Sequence, residues 1–135
     1  MKYDGEKKRF DFLSPSKMGT TVIGNPTINI SKNGYFSFNS KAVAMIGLKD
    51  KDRLMMAYDH VEKCYWVFKC PSLKDSYIIR ITKHTSGFNS KKLTVDISRM
   101  LMLGLLDGKA KSVTLGISPT PLEVEGYSMY KIIKP

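Results

Sequence analysis

Ile30-Ser31-Lys32, five residues, then Phe38-Asn39-Ser40-Lys41: this stretch returns later in the chain as Ile81-Thr82-Lys83, four residues, then Phe88-Asn89-Ser90-Lys91. A third landmark follows in the same order, Gly47-Leu48-Lys49-Asp50 being answered by Gly104-Leu105-Leu106-Asp107. The offset is 50 residues at the Phe-Asn-Ser-Lys element and 57 at Gly-Leu-x-Asp, so seven residues have been inserted between the landmarks of the second copy. Seven residues is nearly two helical turns and brings an apolar face back to within ~20° of its starting direction. A longer helix can therefore replace a short one without turning its core side to water.

The intervening residues agree with helices. Val43 and Ile46 are spaced for one face of a short helix, and Leu93, Ile97, Met100 and Leu101 follow the i, i+4, i+7, i+8 pattern. Asn39 and Asn89 stand where an N-cap belongs, and Gly47 and Gly104 where a left-handed stop belongs. Strands follow in each copy. Arg53 to Tyr58 and Cys64 to Phe68 flank the turn-like Asp59-His60-Val61-Glu62-Lys63, and Lys111 to Ile117 and Tyr127 to Ile133 flank the breaker-rich Ser118-Pro119-Thr120-Pro121. Phe36 and Phe38 share a core-facing strand side by period two, with Tyr35 and Ser37 pointing the other way, while the run Tyr65-Trp66-Val67-Phe68 reads as a strand covered on both sides.

The expected fold is α+β, mostly β: a single-chain pseudo-twofold barrel made from two strand-strand-helix-strand-strand repeats. Residues 27–76 and 77–135 form the two interlocked repeats of one domain, and residues 1–26, with Lys7-Lys8-Arg9 and several breakers, form an N-terminal arm.

Composition bounds the function. The chain has 135 residues, enough for one domain that buries roughly two-thirds of its unfolded surface. The run Met100 to Leu106 falls far short of the ~20 apolar residues that cross a bilayer, and no apolar core follows the basic residues at the start, so the expectation is a cytoplasmic protein with no membrane partner. His60, Cys64, Cys70 and His84 lack paired metal-ligand spacing, and the two cysteines read as thiols in a reducing compartment. Phosphate-cradling Gly motifs and Gly-x-Ser-x-Gly are absent, and Asp96 and Asp107 read as a solvated face and a turn. The expectation is a protein that is not an enzyme and uses no cofactor.

What remains is charge. Lys and Arg number 22 against 12 Asp and Glu, and the net +10 is shared as +2 over residues 1–31, +5 over 32–86 and +3 over 87–135. Lys32, Lys41, Lys49, Lys51 and Arg53 gather around the turn and helix ends of the first copy, and Lys83, Lys91, Lys92, Lys109 and Lys111 do so in the second. About a pseudo-twofold axis these would form one positive surface matched to a phosphate backbone, whose neutralisation releases condensed counterions. Arg53 is the best candidate for bidentate reading of guanine or phosphate, and Tyr35 for base stacking.

The run from Gly34 to Leu54 resembles the AbrB/MazE (SpoVT-AbrB) family of bacterial DNA-binding domains: Phe36 and Phe38 match its strand positions, Gly47-Leu48 its stop, and Asp52 its acidic turn residue. Asn39 stands where that family usually has proline and Lys51 where it has glycine, and in the second copy Lys109 follows Gly108 where an acid is expected. The chain is also loosely similar to small basic proteins of bacterial mobile elements and phages. The family resemblance implies a barrel of interleaved hairpins, made there by two identical chains, and a role in DNA-linked transcription regulation. The expected function is thus non-catalytic nucleic-acid binding, with duplex DNA favoured over single strands, by a monomer with internal pseudo-symmetry or a homodimer. The alternative is a structural or protein-interaction module, an antitoxin-like partner or a phage or virion assembly component, in which the leader and the Ser118-to-Gly126 loop make the contacts.

Overall fold

A computed structural model describes residues 25–134. The expected N-terminal arm lies outside the described residues except for Asn25 and Pro26. In chain order the elements are β1 (Thr27–Ser31), β2 (Tyr35–Phe38), α1 (Ser40–Ile46), β3 (Arg53–Asp59), β4 (Cys64–Lys69), β5 (Tyr77–Ile78), β6 (Arg80–Ile81), β7 (Ser86–Asn89), α2 (Lys91–Leu101), β8 (Ser112–Ile117), β9 (Leu122–Val124) and β10 (Tyr127–Ile133). The fold is α+β and mostly β.

All strand pairings are antiparallel, and the order β5-β3-β4-β10-β8-β1-β2-β7-β6 comes round into a nearly closed barrel. Its two ends, β5 and β6, are halves of one segment on either side of Ile79. Ile79 itself continues the pairing with the start of β3: its N–H donates to Asp52 O at 2.8 Å, and Lys51 N–H donates to its carbonyl at 2.8 Å. Reading the ring by copies, with β5–β6, β7, β8 and β10 as counterparts of β1, β2, β3 and β4, exchange of the copies leaves the order unchanged. The approximate dyad runs between β2 and β7 and between β4 and β10. Ser37 and Gly87, equivalent under the fifty-residue offset, pair with each other across it.

The core follows from strand alternation. Ile28, Ile30, Phe36, Phe38, Leu54, Met56, Leu115, Ile117 and Ile132 point inward from successive strands. Phe36 and Phe88 stack across the dyad with ring centroids 4.9 Å apart, and Tyr77 stacks on Phe88 at 4.8 Å. Cys64 to Phe68 are all buried, as the unbroken apolar run requires, because β4 is flanked by β3 and β10 and covered on both faces.

Four local expectations are corrected. The cap of α2 is Ser90, whose Oγ accepts from Leu93 N–H, rather than Asn89. The reason is that Asn89 is held in the β7 ladder opposite Tyr35. The left-handed stop of α2 is Met102 rather than Gly104, which also has positive φ but lies in the following loop and accepts from Ala110 N–H. Met100 is exposed, because the buried face of α2 turns through Thr94, Ile97 and Ser98. The segment read as the Ser118-to-Gly126 loop contains a strand, β9, which pairs with the start of β10.

Candidate nucleic-acid interface

The basic candidates are regrouped by the ring, and each group draws on both copies. The first group forms where the β1–β2 turn meets the start of α2 and the start of β8. In that turn Gly34 N–H donates to Ser31 O and Tyr35 N–H to Ser31 Oγ. Lys32 N–H donates to Lys111 O at 2.9 Å, so the two lysines are neighbours across the β1–β8 ladder. Ser90 N–H donates to Gly34 O at 2.7 Å, and a Cβ on Gly34 would stand 3.0 Å from the Lys91 backbone. Gly34 takes φ +100°, so both this close approach and its conformation require glycine. Lys32, Lys91, Lys92 and Lys111 are all exposed at this rim, and none is ion-paired to a described carboxylate. Lys109 lies just upstream of Lys111 and is 3.9 Å from Asp107.

The second group is its counterpart. The turn from Thr82 to Thr85 is closed by Thr82 N–H to Thr85 O and by Thr82 Oγ1, which accepts from His84 and Thr85 N–H and bonds the Thr85 hydroxyl. It presents Lys83 and His84 to solvent across a cleft from Asn39 and Ser40 at the start of α1, where Lys41 is half-buried. Asp50 ties in the loop before β3, its Oδ1 accepting from Ile81 N–H at 2.8 Å and from Arg80 Nε at 3.2 Å. Those bonds, the Ile81 amide first, hold its carboxyl below the ordinary range. Lys49 and Lys51 are thereby set beside Arg80, in the strand that leads into the Lys83 turn. Arg80 is exposed and is a member of this rim that the repeat pattern did not single out; its place one residue before the Ile81 landmark was the available signal.

The two rims sit at opposite ends of the β2–β7 ladder, whose four-residue strands span ~10 Å at about 3.4 Å per residue. Two candidates are placed differently from the rest. Arg53 is half-buried, and its Nη1 donates to Lys74 O and Ser76 Oγ, so its fork braces the 74–76 loop. The hydroxyl end of the Tyr35 ring lies over Gly87, where a Cβ would stand 2.8 Å from its hydroxyl.

Cys64 and Cys70 are buried free thiols, and burial pushes both above the ordinary thiol range. Among the described residues no three His, Cys, Asp or Glu side chains gather in a way that could hold a metal, and no helix is long and apolar enough to cross a membrane. No protein-family model, curated protein or solved structure matches the chain.

Proposed function

We propose that the chain is a non-catalytic nucleic-acid-binding protein that engages duplex DNA through the two basic rims, working in the cytoplasm as a regulator without a cofactor. The observation that carries this reading is the convergence of Lys32, Lys91, Lys92 and Lys111, from three separated segments, at one end of the β2–β7 ladder, with Lys41, Lys49, Lys51, Arg80 and Lys83 at the other. The net charge of +10 and the similarity of residues 34–54 to AbrB/MazE domains support it further. Lysines act as point charges on phosphates and give affinity with little sequence information. Duplex is favoured over single strands by the similarity of residues 34–54 to AbrB/MazE domains, Tyr35 being the one residue proposed for base stacking.

The test is titration of a labelled duplex, and of one of its strands, over a salt series. Log affinity should fall linearly with log salt, by about 0.9 per phosphate engaged, and the duplex should bind more tightly than the strand. No binding at low salt, or an affinity flat with salt, rejects the proposal.

A further inference from the structure

The second copy departs from the first where the seven extra residues were added, and the departure exposes apolar side chains that the barrel does not need. The first copy leaves α1 through Gly47 and buries Leu48 at once. The second leaves α2 through Met102, held in the left-handed region at φ 53° with 81% of its surface exposed. Met100 on one side is 49% exposed and Leu106 on the other 53%. Met102 and Leu106 line one groove, exposed apolar side chains of the kind that marks a protein-binding surface, and methionine adapts its shape to a partner.

The groove, of about 600 Å³, is lined by Ser98, Arg99, Met102, Leu103, Leu106 and Lys109, together with Asp107. Ser98 is 3% exposed, and its hydroxyl has no hydrogen-bond partner among the described residues. Arg99 is exposed and unpaired with any described carboxylate, and Lys109 meets Asp107 only at 3.9 Å. The groove thus combines apolar borders with cationic flanks.

We infer that this groove docks an acidic, apolar-anchored segment of another protein: one or two aliphatic or aromatic side chains against Met102 and Leu106, flanked by carboxylates that meet Arg99 and Lys109. Charge complementarity selects this occupant. A second copy would bring the same cationic flanks of a +10 chain together, and the sugar-phosphate backbone offers no aliphatic group to cover the methionines. The groove adjoins the first rim, with Lys109 standing two residues before Lys111, but it is lined by none of Lys32, Lys91, Lys92 and Lys111.

The experiment pans the full-length chain against a random dodecapeptide library and measures an enriched peptide by fluorescence anisotropy. Enriched sequences should pair Leu, Ile, Phe or Trp with Asp or Glu. Affinity should fall about tenfold or more in Met102→Asn, which suits the left-handed backbone, and in Arg99→Glu, with melting temperature unchanged in both and duplex binding unchanged in Met102→Asn. Four results overturn the inference: no enrichment, enrichment without acidic residues, binding that survives Met102→Asn, or a wild-type dimer in light scattering that Met102→Asn disperses.

Discussion

Asn39 joins three segments through one side chain. Its Oδ1 accepts from Ala42 N–H at 2.9 Å, capping α1, and from Thr27 N–H at 3.0 Å, while its Nδ2 donates to Asn25 O at 2.9 Å. The cap alone is worth about 1–2 kcal/mol and each further bond about 1. Asn39→Ala should therefore cost about 3–4 kcal/mol in urea denaturation, and Asn39→Asp less, since it keeps both acceptor bonds. Lys51 illustrates the opposite situation. It sits at φ 74°, where a side chain crowds its own carbonyl, so Lys51→Gly should raise stability by about 0.5–1 kcal/mol, read as a higher melting temperature. Two carboxylates set the acid limit. Asp59 accepts from Val61 N–H, Glu62 N–H and Trp66 Nε1, and Asp50 from Ile81 N–H and Arg80; these bonds depress both carboxyls below their ordinary 3.8. A carboxyl depressed in the folded state gives its full stabilisation above the unfolded value and loses it as pH falls through the folded one. Melting temperature should drop on acidification below roughly pH 4, and Asp59→Asn or Asp50→Asn should flatten that drop.

At the scale of elements, the β2–β7 ladder is the part that tolerates least change. A Cβ on Gly87 would fall 2.0 Å from Phe36 O in the facing strand and 2.8 Å from the Tyr35 hydroxyl. Gly87→Ala should destabilise by about 3 kcal/mol or more, whereas Gly116→Ala, whose nearest contacts would be 3.8 Å away, should stay within about 1 kcal/mol. Guanidinium denaturation of the pair separates a built-in close approach from a generic cost of losing glycine. Gly87 also shows why some of the structure was readable in advance and some was not. Residue identity at Phe38, Asn39 and Ser40 against Phe88, Asn89 and Ser90 revealed the repeat, and period-two alternation revealed the inward faces of Phe36 and Phe38. The cap of α2 moved to Ser90 because a tertiary pairing, Asn89 opposite Tyr35, outweighed a local preference. Met100 left the buried face because Thr94 and Ser98, polar by composition, took positions that an apolar pattern would not assign to them. The regrouping of the lysines depended on Lys32 pairing with Lys111 and on Gly34 meeting Ser90, contacts between residues far apart in the chain that spacing within a copy does not encode.

For the whole molecule, the approximate dyad turns one chain into its own partner: the ring order is unchanged when the copies are exchanged, and each basic rim takes lysines from both. The added residues of the second copy break this symmetry at the end of α2. The account's functional claim is that the rims act together on one duplex. Its most direct test is the slope of log affinity against log salt for three chains: wild type, Lys32→Ala with Lys91→Ala and Lys111→Ala, and Lys41→Ala with Lys49→Ala and Lys83→Ala. Each triple variant should fold as wild type and lower the slope by up to about 2.7, with similar losses from the two rims. A slope left unchanged by either triple, or lowered by only one of them, would contradict the claim that both rims hold the same DNA.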